Sequence, residues 1–136
     1  MIDLKIESEQ DMIAFGQRLS SHLNEGDLVL FEGELGSGKT TLIRGILQGL
    51  EWKGAVRSPT FNLFSVYDTK PKVLHADLFR ISSARGTGIE DYFDDYLCLI
   101  EWPDAMAEMA DLNLAKRVTI MFDGDTRRVR LSNISL

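Results

Sequence analysis

Residues 33–40 read G-E-L-G-S-G-K-T, the G-x-x-x-x-G-K-[ST] spacing of a phosphate-binding loop. The residue types follow from the task. Gly33, Gly36 and Gly38 allow a tight curl with positive φ and bring the backbone close to a bound anion. Successive N–H groups then point inward at a helix start, where the helix dipole favours negative charge. Lys39 supplies a point charge for the β- and γ-phosphates, and the Thr40 hydroxyl a ligand for Mg²⁺. The expected ligand is a nucleoside triphosphate with magnesium.

Such a site needs a second acidic group near the metal, at the carboxyl end of a neighbouring strand. Two positions qualify. Glu101 ends the apolar run 97–100, and Asp77 ends the run 73–76. Glu101 is expected to serve the metal, directly or through water, because its strand is the more apolar. Asp77 is then expected to orient or deprotonate an attacking water. A capping role for either carboxylate is the competing expectation. Thr60, in S-P-T-F, stands where a switch loop could sense the γ-phosphate, or in a plain turn. Trp102 could cover the nucleotide, face a partner or fill core. His75 reads as a structural histidine. Arg57 and Arg80 could stabilise a transferring phosphoryl group or simply face solvent.

The elements that must hold these residues come from hydrophobic periodicity. Leu4 and Ile6 mark a first strand. Ser8, with Asp11 three residues on, caps a helix carrying Met12, Phe15, Leu19 and Leu23. The run 27–31 is a buried strand before the loop, and 41–48 a helix after it. Further strands are expected at 61–67, apolar on both faces, and at 73–77 and 96–100, with a short helix at 104–110. Segments 117–122 and 127–131 alternate as a hairpin around the turn 123–126. The stretch 82–88 is too glycine-rich for a helix. The expected fold class is α/β, a three-layer P-loop NTPase sandwich with a mixed, mostly parallel sheet and a C-terminal antiparallel hairpin. The 136 residues suit one domain, 1–136.

Bulk properties narrow the partners. No run approaches a membrane span, the N-terminus lacks a signal-peptide pattern, and the single cysteine, Cys98, excludes an intrachain disulfide. A cytoplasmic setting is expected, with no membrane role. The net charge of −6 disfavours an unaided grip on a phosphate backbone, so no DNA partner is expected. There is no N-K-x-D run, which favours ATP over GTP, and no L-S-G-G-Q run. Little room is left for a second substrate and a lid, so water is the expected acceptor. A small P-loop kinase is the alternative.

The phosphate loop, R-S-P-T-F at 57–61, H-A-D-L-F-R at 75–80, G-I-E-D-Y-F at 88–93 and C-L-I-E-W-P at 98–103 occur in one order. Together they closely resemble the TsaE family of bacterial tRNA threonylcarbamoyladenosine synthesis. The resemblance implies ATP and Mg²⁺ as cofactors and weak intrinsic hydrolysis. It implies action with TsaD and TsaB on A37 of tRNAs reading codons that begin with A, with tRNA met only through that complex. It implies that Gly33, Leu35, Gly36, Ser37, Gly38, Lys39, Thr40 and Thr41 hold the phosphates and that Thr40 and Glu101 hold Mg²⁺. Asp77, Thr60 and Trp102 match positions that matter for activity, and the base is expected near Ser8 and Gly124. The chain departs from the pattern at 81–87, shorter and less acidic than usual, and at Ala76, where an aromatic is common.

Overall fold

A computed structural model describes residues 2–56, 63–107 and 112–136. Seven strands form one sheet: β1 (Ile2–Ile6), β2 (Leu28–Glu32), β3 (Phe64–Tyr67), β4 (Val73–Asp77), β5 (Leu97–Glu101), β6 (Lys116–Asp123) and β7 (Thr126–Ser132). Their spatial order is β1-β7-β6-β2-β5-β4-β3. The central strands β6, β2, β5 and β4 pair in parallel. β3 pairs antiparallel with β4, while β7 pairs antiparallel with both β6 and β1. The expected α/β class, mixed sheet and closing hairpin are therefore present.

Strand alternation divides the core in two. Val29, Phe31, Val73, Leu97, Leu99, Val118 and Ile120 face a cluster with Met12, Phe15, Leu42 and Ile46. Leu30, Leu74, Ala76, Cys98 and Ile100 face the other way, against Ile89, Ala105 and Met106. The first face is covered by two helices, α1 (Glu9–Leu19) and α2 (Lys39–Gly49). Among the described residues the second face is covered by 3-10 turns, Ile89–Tyr92 and Pro103–Met106, and by coil. The outer layer there is made of turns where a helix was expected over 104–110. Residues 108–110 of that expectation lie outside the described residues. β3 is apolar in sequence yet forms the edge of the sheet, with Val66 44% exposed.

The two helices run in the same direction and nearly touch at backbone level. A Cβ on Gly16 would come within 2.5 Å of the Leu42 carbonyl, and one on Gly45 within 2.4 Å of the Ile13 carbonyl. Gln17 donates to Gln48 across the same seam at 2.9 Å. Because they are parallel, both helices start at one end of the sheet. α1 is capped there by Ser8, whose hydroxyl accepts from the Asp11 N–H at 3.1 Å, and α2 starts at Gly38. No helix among the described residues is long and apolar enough to cross a membrane.

Candidate functional site

The phosphate loop joins β2 to α2 beside the ends of β4 and β5. Gly38, at φ 115°, precedes the first residue of α2, Lys39. Gly33 has no space for a side chain, since a Cβ would meet Ser37 Oγ at 2.6 Å and the Ile120 carbonyl at 2.7 Å. The loop is therefore tied to β6 as well as to its own strand.

Lys39 is 5% exposed and bends back over the loop. Its ammonium donates to the Gly33 carbonyl and, at 3.4 Å, to the Glu34 carbonyl. It also lies 3.8 Å from the centre of the Trp102 ring, a cation–π distance. Burial holds its pKa below the usual lysine value. The charges of Glu101 and, more weakly, Asp77 oppose that shift.

Parallel registry brings the carboxylates to the same place. Asp77 on β4 pairs with Glu101 on β5, and Phe31 on β2 pairs with Glu101 from the other side. Glu101 is 3% exposed, and both its oxygens lie 3.1 Å from Thr40 Oγ1. One oxygen, Oε2, also meets His75 Nε2 at 2.6 Å. His75, fully buried, stands two residues before Asp77 and so faces the same side of the sheet. Asp77 Oδ1 accepts from the Phe79 N–H at 3.0 Å, which turns the chain away after the strand. Trp102 follows Glu101 with φ at 56°, a left-handed conformation uncommon for a large residue, and its ring packs 4.6 Å from Phe79.

A groove of about 270 Å³ is lined by Lys39, Thr40, Asp77, Glu101, Trp102 and the loop from Glu34 to Gly38. Its donors are hard oxygens, a hydroxyl and carboxylates, and these suit Mg²⁺. Among the described residues no group of three or more His, Cys, Asp or Glu could enclose a metal. A cation at Thr40 and Glu101 would thus need oxygens from a ligand and water, as Mg²⁺ held with phosphates has. The residues fit the group.

A second cavity, about 240 Å³, opens on the other side of the loop. The starts of both helices and the β6–β7 turn line it, with Ser8, Met12, Gly38, Thr41, Asp125 and Arg127 in its wall. Arg127 Nε donates to the Ser37 carbonyl at 3.2 Å, and its guanidinium lies 4.4 Å from the Phe122 ring.

Of the site residues read from sequence, Leu35 to Thr41, Asp77, Glu101 and Trp102 converge on one groove, with Gly33 at the start of the loop just outside its lining. Ser8 and the turn holding Gly124 flank the second cavity. Thr60 and Arg57 lie outside the described residues. Arg80 is exposed. Cys98 is buried and free, and burial pushes its thiol up to about 12, as in an inert core cysteine. Two participants escaped the sequence reading. His75 touches the Glu101 carboxylate, a contact signalled only by its spacing of two from Asp77. Arg127 touches the loop, with no signal in its spacing.

The fold defines the class: an α/β protein with a mixed, mostly parallel sheet, a glycine-rich loop at the end of an inner strand and a buried carboxylate at the end of the next. Residues 6–130 match the family model described as threonylcarbamoyl adenosine biosynthesis protein TsaE. The chain belongs to the TsaE family. It is 40% identical to a tRNA threonylcarbamoyladenosine biosynthesis protein TsaE from Haemophilus influenzae over 73% of this chain and 69% of that one. It is 30% identical to the protein of that name from Treponema pallidum over 87% and 91%. The crystal structure of Bacillus subtilis YdiB superposes with a TM-score of 0.84 at 23% identity, covering 98% of this chain and 86% of that one. That last likeness supports the fold.

Proposed function

We propose that this protein is the Mg²⁺-dependent ATPase subunit of tRNA threonylcarbamoyladenosine synthesis. It works with TsaD and TsaB in the cytoplasm and meets tRNA only through that assembly. Membership of the TsaE family supports the pathway. The observation that carries the ATPase reading is the Thr40–Glu101 contact, which joins the first turn of α2 to the end of β5 beside Lys39.

In this reading the loop N–H groups between Gly33 and Thr41 bind the phosphates, and Lys39 leaves the Gly33 and Glu34 carbonyls to join them. Thr40 and Glu101 hold Mg²⁺, which when bound neutralises charge developing on the transferred phosphoryl. Asp77 orients the attacking water. Trp102 covers the groove and excludes bulk water. The base lies in the cavity at Ser8 and the turn around Gly124. Thr60, which precedes β3 in the sequence, senses the γ-phosphate. Turnover is slow without a partner, because Lys39 starts from bonds to its own loop.

Measuring ATP hydrolysis with and without the TsaD–TsaB pair tests this. Stimulation, with a ternary complex on gel filtration, is expected. Unchanged turnover and no complex would sink the reading. Transfer of the γ-phosphate to a small-molecule acceptor would replace it with a kinase.

A further inference from the structure

The contact between His75 and Glu101 has no place in the scheme above. Glu101 is a carboxylate with almost no access to water, and a buried carboxylate needs donors. Thr40 offers a single hydroxyl proton, and its Oγ1 lies 3.1 Å from both oxygens, so it satisfies one lone pair at a time. The second donor is His75 Nε2, 2.6 Å from Oε2. A carboxylate oxygen accepts, so the ring donates from Nε2, while Nδ1 meets no hydrogen-bond partner among the described residues. Oε2 is thus shared by Thr40 and His75, whereas Oε1 meets Thr40 alone and keeps spare acceptor capacity.

The backbone makes this arrangement stiff. His75 pairs in register with Leu99, two residues before Glu101, and sits diagonally across the parallel β4–β5 pair. It is fully buried and its ring cannot swing into solvent. The carboxylate is therefore gripped from the sheet side, opposite the helix that brings Thr40.

We propose that His75 is a positioning residue: it pins Oε2 of Glu101 so that Oε1 is presented to a divalent cation at Thr40. This rests on the metal–nucleotide reading of the groove. A ring that orients a metal-binding carboxylate acts on metal affinity and leaves anion binding by the loop alone. Such supporting partners typically change metal affinity by about 10- to 100-fold.

The test uses the full chain and a fluorescent ADP analogue, titrated in EDTA and again across Mg²⁺ concentrations. In the native protein Mg²⁺ is expected to tighten nucleotide binding. His75→Phe should raise the Mg²⁺ concentration for half-maximal tightening by about 10- to 100-fold. Its affinity in EDTA should stay within about twofold of native. His75→Gln, which keeps a donor at the reach of Nε2, should recover most of the Mg²⁺ response. Native Mg²⁺ dependence in His75→Phe overturns the proposal, as does a Gln variant as defective as Phe. If the native protein itself shows no Mg²⁺ effect, the metal–nucleotide reading fails, and that result is distinct from the others.

A measurement without substitution guards against variants that do not fold. The chain has two histidines, and His22 is exposed. A slowly exchanging, downfield ring N–H is therefore expected from His75 alone. It should move when Mg²⁺ is added to the ADP-bound protein and stay still when ADP is added in EDTA. A ring signal that ignores Mg²⁺ overturns the proposal.

Discussion

On the Glu101 side of the phosphate loop, both strand carboxylates, Asp77 and Glu101, stand at strand ends in the middle of the sheet. On the Ser8 side, the wall is made of two helix starts and a hairpin turn. The first groove is fixed by registry: Asp77 pairs with Glu101, Glu101 with Phe31, and Thr40 and His75 close on one carboxylate. The second cavity is fixed by packing between elements, through the glycine seam of α1 and α2 and the single bond from Arg127 to Ser37. A one-residue slip of β5 would dismantle the groove. The same slip would leave the cavity's walls standing. The half to which we assign charge chemistry is held by backbone hydrogen bonds, and the half to which we assign the rest of the ligand is held by packing between elements.

The largest effect that would separate the halves is expected from Lys39→Ala. Removing one preorganised donor from developing charge typically costs about 100- to 1,000-fold in turnover. ATP hydrolysis should fall by that order while the far-ultraviolet circular dichroism is kept. Next comes Glu101→Gln, an isosteric change on the same side. It should cut turnover by about 100-fold, with nucleotide affinity in EDTA unchanged. If it instead weakens binding in EDTA, the groove is serving the nucleotide as a whole and the contrast collapses.

Gly45→Ala probes the other half. In an open helix the change would gain about 1 kcal/mol of propensity. Here the new methyl group would lie 2.4 Å from the Ile13 carbonyl, so overpacking of about 1–3 kcal/mol decides the sign. The melting temperature should drop. Nucleotide binding should weaken severalfold as α1 moves, with the Mg²⁺ response preserved. Loss of the Mg²⁺ response in this variant would show that the two halves are mechanically one.

The smallest effect concerns Cys98, on the strand that carries Glu101. Its folded thiol is raised to about 12, above the roughly 8.5 of an unfolded cysteine. Its contribution to stability is therefore complete below the unfolded value and is lost as pH rises through that window. Replacing it by alanine should flatten the alkaline fall in stability between pH 9 and 10, read by urea denaturation. Thiol labelling should report unfolding only, in Gly45→Ala as in the native chain. Fast labelling of the folded protein would mean that the strand-built half is the looser one.

What could be read from sequence follows the same division. The loop, Glu101 and Asp77 were legible because a glycine pattern and the ends of apolar runs mark them directly. The strands and the closing hairpin were legible because their alternation is local. His75 was taken as structural, since its contact depends on the β4–β5 register, and register is a pairing between distant segments. Gly16 and Gly45 look like weak points of helices until the backbones they bring together are known. Arg127 carries no spacing signal, because hairpin geometry alone delivers it to Ser37. A short helix was expected over 104–110, and its first three residues lie in the turn Pro103–Met106. Trp102, at φ 56°, precedes a 3-10 turn over Pro103–Met106, and residues 108–110 lie outside the described residues.

Lys39 has a consequence of another kind. Its ammonium is already engaged with the carbonyls of Gly33 and Glu34. A guest arriving at the loop therefore takes part in an exchange: the carbonyls lose a donor and the guest gains one. Exchange rewards only the difference between the two partners. A singly charged anion improves little on a pair of peptide dipoles, whereas a chain of linked phosphates improves on them greatly. The loop thus sets a floor on the charge density of whatever it admits, and it does so with its own backbone as the competitor.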